Sequence, residues 1–331
     1  MVTRSIPAFY PLMKNNNILF TTIAAALSAS RLVACDFCSC ELPNMGIGNH
    51  TGWNVRVSEQ FTHFGTLQQD GHSIVNPAGE HLDSSLTQMI VGYDFAHALG
   101  VQLSVPLVSR SFQRWHHGAL DTGSVNGVGD ASFLAHWAPI HIQRSDFLLT
   151  ARFFAGISLP TGDSDRVLEE AAEGGGGEGE MVASGIHGHD LALGTGSVGG
   201  IFGADAHVQW KRLFAAAGIE GVARTKGAHG YTFADEMSWH GELGAFLVDC
   251  ADFNLALAAE CTGSSKGQDV FQGARATDTS RTYVFLGPKI SATWGKRYHA
   301  DVAVDFPVLR ENSGVQAVPD YRISATVGIR F

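Results

Sequence analysis

The sequence predicts an all-β chain, a transmembrane antiparallel up-and-down β-barrel of about 12 strands, and three observations carry that reading. The C-terminal segment Tyr321-Arg322-Ile323-Ser324-Ala325-Thr326-Val327-Gly328-Ile329-Arg330-Phe331 is apolar at every second position and closes on an aromatic. Comparable alternation recurs along the chain in stretches of about ten residues, the length at which a tilted strand crosses a bilayer. The connections between these stretches alternate short and long, as in barrels with periplasmic turns and extracellular loops.

Composition agrees. Only 16% of the 331 residues are charged, Gly reaches 39, and mean hydropathy is +0.04. A barrel wall hides its apolar face by alternation, so near-neutral hydropathy is compatible with a membrane. The mature region has no apolar run of about 18 residues, which excludes a helical bundle. A net charge of -10 disfavours nucleic acid as a partner and suits acidic surface loops.

Taken in order, Arg4 and Lys14 precede the apolar run 18–27, and Ser28-Ala29-Ser30 resembles a small-residue cleavage site. Residues 1–34 therefore read as an export signal. Residues 35–52 form a Cys-rich periplasmic segment headed by Cys35-Asp36-Phe37-Cys38-Ser39-Cys40. Thiolates so spaced can wrap one Cu or Zn ion, a disulfide is the competing fate, and Leu32-Val33-Ala34-Cys35 also resembles a lipoprotein box. The barrel occupies 53–331. Its strands are expected near 53–61, 86–97, 99–112, 129–139, 147–159, 197–210, 213–224, 237–249, 253–261, 282–294, 298–309 and 321–331. Long loops are expected over 63–85, 113–128, 160–196, 225–236, 262–281 and 310–320. The acidic, Gly-rich stretch 169–180 lacks the Lys-Ser/Thr ending of a phosphate loop and reads as a flexible extracellular segment.

Trp137, Trp210 and Trp294 fall on the apolar face beside short turns, with Tyr298 just after one, where an interfacial girdle belongs. An even strand count returns Phe331 to the periplasmic rim, where barrel-assembly machinery would read it. Outer-membrane lipid is the other expected partner.

Gly127-Val128-Gly129-Asp130, Leu159-Pro160-Thr161-Gly162-Asp163 and Leu193-Gly194-Thr195-Gly196-Ser197 are similar, in this order, to motifs of outer-membrane proteins of the phenol meta-pathway degradation family. The resemblance implies a barrel that passes small molecules, and it brings no catalytic residues.

With apolar residues toward lipid, alternation places His136, His207, His240, His299, Asp130, Asp205, Glu220, Glu242, Asp301, Arg152, Arg224 and Arg322 on the lumen wall. Asp94, Glu260, Asp305, Lys289 and Arg330 join them. Such a wall suits a narrow polar passage, and charges of opposite sign can also pair across strands. His187 and His189, with rings on one face if extended, and His116-His117 are candidate metal stations beside Cys35, Cys38 and Cys40. Cys250 and Cys261 lie too far apart for a bridge, at roughly 27 Å for an extended chain. The expected function is an outer-membrane channel passing a small hydrophobic, aromatic or cationic solute, with no enzymatic activity and no required cofactor. The alternative is a Cu- or Zn-binding outer-membrane protein. A barrel lipase would need a Ser and His pair on the lipid face near the outer rim.

Overall fold

The computed structural model describes residues 51–116, 118–170, 184–295 and 297–331. The export signal expected over 1–34, nearly all of the Cys-rich segment, His117 and most of the acidic stretch lie outside the described residues.

Twelve antiparallel strands form the wall: β1 Gly52–Gln69, β2 His81–Asp94, β3 Leu99–His116, β4 Ala131–Arg144, β5 Phe147–Leu159, β6 Gly199–Trp210, β7 Leu213–Arg224, β8 Glu236–Asp249, β9 Phe253–Lys266, β10 Arg281–Trp294, β11 Tyr298–Asn312 and β12 Val315–Arg330. Each pairs with its sequence neighbour, and β12 pairs with β1 through Val57↔Val327 and Val55↔Ile329, which closes the sheet. Closure leaves no open edge, the condition for a sheet to cross a bilayer. No helix among the described residues is long and apolar enough to span a membrane.

Side chains follow the period of two. Along β6 and β7, Phe202, Trp210, Leu213 and Ile219 point outward while Ile201, Phe214, Glu220 and Val222 are buried inside. Trp53, Trp210, Trp294 and Tyr298 are exposed on the outer face at the turn ends of their strands, while Trp137, expected beside a short turn, is exposed in the middle of β4 because that strand runs on to Arg144.

Two expectations change. The segments 113–128 and 310–320 are not irregular loops: Ala119–Val128 pairs with β3, and β11 turns into β12 at Ser313-Gly314, so both hairpins extend the wall. The outer face is also not uniformly apolar. Glu59 faces outward and accepts hydrogen bonds from Ser85 and Thr87, and His63 pairs there with Asp83 at 2.6 Å. Their strands alternate correctly, so these polar groups sit where the period puts them.

Candidate functional site

The loop between β5 and β6 does not stay outside. From Pro160 it enters the bore, forms a single turn of 3-10 helix over Asp165–Glu169, and returns through a short helix, Gly188–Leu191. Leu191 and Ala192 are fully buried, and Ile186 is 1% exposed. Ile186 and Leu191 pack with Phe64, Leu82, Phe112, Tyr283, Phe285 and Val318, which belong to β1, β2, β3, β10 and β12. Of these, β1, β10 and β12 stand across the ring from β5 and β6. The described limbs of the loop, 160–170 and 184–198, therefore lie inside the bore and act as a plug there.

Burial of this apolar stretch drives the docking, and a polar set fixes its position. Arg110 of β3 donates to the carbonyls of Asp190, at 2.5 Å, and Ala192, at 3.0 Å. Arg281 of β10 reaches the Asp190 carboxylate at 3.4 Å, and Arg114 holds Glu169 at 2.7 Å. Glu80 accepts hydrogen bonds from Ser184 Oγ at 2.6 Å and the Gly185 amide at 3.2 Å. Within the plug, His189 Nδ1 lies 2.8 Å from Glu170. Burial alone would push the His189 pKa down, but the Asp190 and Glu170 charges outweigh it and hold it above the usual imidazole range. Burial likewise opposes ionisation of Glu170 and Asp190, yet the charge of His189, joined at Asp190 by Arg281, keeps both below the usual carboxylate range.

The base of the plug is where the three glycine-rich motifs meet. Asp130 accepts from the Gly162 amide at 3.0 Å, the Thr195 amide at 2.8 Å and the Thr195 hydroxyl at 2.6 Å. The Asp163 carbonyl accepts from the amides of Leu193 and Gly194 at 2.8 and 2.9 Å. A Cβ on Gly162 would stand 2.7 Å from Gly194 Cα, so the two limbs of the loop cross where neither can carry a side chain. Asp130 is thus a clasp on the plug, placed in the break between the Ala119–Val128 strand and β4, not a residue of the lumen wall as expected.

The other predicted wall residues do project inward from strands, mostly in pairs. Arg152 meets Asp205 at 2.8 Å, His299 meets Asp301 at 2.9 Å, His136 meets Asp94 at 3.1 Å and Arg322 meets Asp305 at 3.0 Å. Arg224 pairs with Glu236. Glu242 and Glu260 oppose each other in register, and Lys289 stands between them at 3.3 and 2.7 Å. Two like charges directly opposite would repel, so the lysine makes this register tolerable. His207 stacks on Phe214, Glu220 is 2% exposed on β7, and His240 lies on β8 beside Thr262. The interior is less polar than expected: Leu134, Phe154, Ile201 and Val222 form an apolar cluster inside the wall.

His187 and His189 are not extended. They flank the start of the short helix, with rings stacked 5.6 Å apart at 8°. Parallel rings do not converge on one ion, and each has another role: His187 caps the helix and lies 3.6 Å from Asp278, while His189 is tied to Glu170. Among the described residues, no group of three or more His, Cys, Asp or Glu is placed to hold a metal. Cys35, Cys38 and Cys40 lie outside the described residues. Cys250 and Cys261 are free thiols. The outward His63 has its ring hydrogen-bonded to Asp83, and no serine hydroxyl contacts it among the described residues.

No protein-family model matches the sequence, and no curated protein is recognisably similar to it. Solved structures are similar in fold. The COG4313 outer membrane channel from Pseudomonas putida F1 superposes with a TM-score of 0.65 at 14% identity, covering 87% of this chain and 99% of that one. The transport unit of the autotransporter AIDA-I from Escherichia coli gives 0.46 at 10% identity, over 88% and 94% of the two chains. A closed wall, an apolar exterior with an aromatic girdle and the likeness in fold to the COG4313 channel together make the chain an outer-membrane β-barrel.

Proposed function

We propose that the protein is a gated channel for a small organic solute, with the loop between β5 and β6 as its closed gate. The observation that carries this reading is the loop's course through the bore, held by side chains from opposite walls. Twelve strands make a barrel wider than the eight whose interior side chains fill, so a bore of this size needs a plug to be shut. The attachments suit a gate. They are hydrogen bonds and ion pairs between a loop and a fixed wall, which break without disturbing the sheet. A TM-score of 0.65 to a protein described as an outer membrane channel, and motifs resembling the phenol meta-pathway degradation family, support a transport role for a small organic molecule.

Planar-bilayer recording of the folded protein tests this. The wild type is expected to conduct little, and a variant in which 165–192 is replaced by a short Gly-Ser linker is expected to conduct at least tenfold more. Equal conductance from the two proteins refutes a gate at this loop.

A further inference from the structure

Two further loops lie against the plug, 225–235 between β7 and β8 and 267–280 between β9 and β10. They are joined by a short ladder, Tyr231↔Phe271 and Thr232↔Val270, and by the Gln272 amide, which donates to the Gly230 carbonyl at 2.9 Å. Asp269 is fully buried at their junction. Its carboxylate accepts from Lys266 Nζ at 2.6 Å, the Tyr231 hydroxyl at 2.6 Å and the Ala234 amide at 2.8 Å. Its own amide donates to Thr279 Oγ1 at 2.8 Å, and Lys266 also lies over the Phe233 ring, 5.2 Å from the centroid. The joined loops touch both limbs of the plug. Tyr231 and Phe233 are buried and pack with Val167 of one limb and Ala192 of the other. The His189 ring stacks on Tyr231 at 6.3 Å, and His229 Nε2 lies 2.9 Å from Asp165. A Cβ on Gly227 would stand 2.8 Å from the Thr195 carbonyl oxygen, so the two backbones approach closely there.

We propose that these two loops form a lid latched by Asp269, and that the plug leaves its seat only after the latch releases. The inference rests on the gated-channel reading and deepens it by naming what holds the gate shut. Lys266, the last residue of β9, and Asp269, three residues on, form a buried ion pair that costs desolvation and by itself joins no second loop. It holds a charged carboxylate where Tyr231 and Ala234 of the other loop donate to it, and hydrogen bonds to a charged acceptor are stronger than neutral ones. Loss of that acceptor leaves a buried lysine and two donors without it at once, so the lid releases as a unit and not bond by bond. Val167 and Ala192 pack against Tyr231 and Phe233, so neither limb can undock without parting from those rings. Apart from Lys266 every latch residue lies in a loop, so the lid can open while the wall stays paired.

Hydrogen exchange of the folded mature protein in detergent tests the latch without reference to transport. Tyr231→Phe removes one donor and keeps the ring, and it is expected to speed exchange of the Leu193 and Gly194 amides by about tenfold. Asp269→Asn is expected to speed it further, while the amides of β4 and β5 keep their protection. Unchanged exchange at Leu193 and Gly194 in both variants overturns the lid's hold on the plug. The order of events is tested by locking the lid with Thr232→Cys and Val270→Cys, which face each other in register, in the Asp130→Ala background. With the 232–270 disulfide confirmed by peptide mapping, plug exchange is expected to return toward the wild-type rate, and reduction is expected to restore the fast rate. Equally fast exchange with the lid locked and unlocked overturns the order. A lid that protects the plug, in a protein whose plug deletion leaves conductance unchanged, sinks the channel reading alone. Raised conductance on plug deletion, with plug exchange indifferent to the latch variants, sinks the lid alone.

Discussion

Replacing Asp130 by Ala removes the clasp at the base of the plug and leaves the wall intact. Its carboxylate accepts three hydrogen bonds from the two limbs of the loop, one from Gly162 and two from Thr195. A hydrogen bond to a charged group contributes about 1.5–3 kcal/mol net, and water replaces part of this when the loop undocks. A loss of about 3–5 kcal/mol in docking follows, which multiplies the population of the undocked loop by about a hundred to a few thousand. Hydrogen exchange reads this at the amides of Leu193 and Gly194, which donate to the Asp163 carbonyl where the two limbs of the loop cross beside the clasp, and of Thr195, which donates to Asp130 itself. Their protection should fall by the same factor while that of β8 and β9 stays unchanged. Asp130→Asn should fall between, since its oxygen can still accept from Gly162 while its amide opposes the Thr195 N–H. Unchanged protection in Asp130→Ala would refute the idea that this carboxylate holds the gate.

Three further outcomes are expected. Docking should depend on pH: His189 has a pKa raised above 6.5, so its contribution is complete below that value and lost as pH rises through the elevated one. Glu170 and Asp190, held below 4.5 and 3.8, contribute above those values and lose their contribution as pH falls through the depressed ones. Plug exchange and conductance should therefore be lowest near pH 5–6 and rise toward pH 9, and His189→Gln should remove the alkaline rise; a flat profile between pH 6 and 9 counts against the assignment. Leu243→Arg, at an outward position 69% exposed on β8, should destabilise the barrel in lipid vesicles by up to about 2–4 kcal/mol as measured by urea refolding; no loss would mean that β8 does not face the hydrocarbon. If Cys38 and Cys40 bind Cu or Zn, elemental analysis of the mature protein should find metal that disappears in the Cys38→Ser, Cys40→Ser double variant; equal stoichiometry removes the cysteine head as a metal site.

The sequence by itself determined the wall. Which residues of a strand face lipid is a property of period two, local to each segment, and Phe202, Trp210, Leu213 and Trp294 are outward in the fold as the alternation requires. The tight turns are equally local, so strand number and order were legible. Short-range pattern could not show the plug. Leu191 belongs to a loop without periodicity, and its burial depends on meeting Phe64, Tyr283 and Val318 from strands distant in sequence, which only the closed barrel brings around it. The role of Asp130 escaped for the same reason. Its motif was visible, as were those of Gly162 and Thr195, but only closure of the barrel and the inward path of the loop bring the three together. Polar outward residues such as Glu59 obey the alternation while breaking its chemistry, and their hydroxyl partners come from the neighbouring strand, whose register is a tertiary fact.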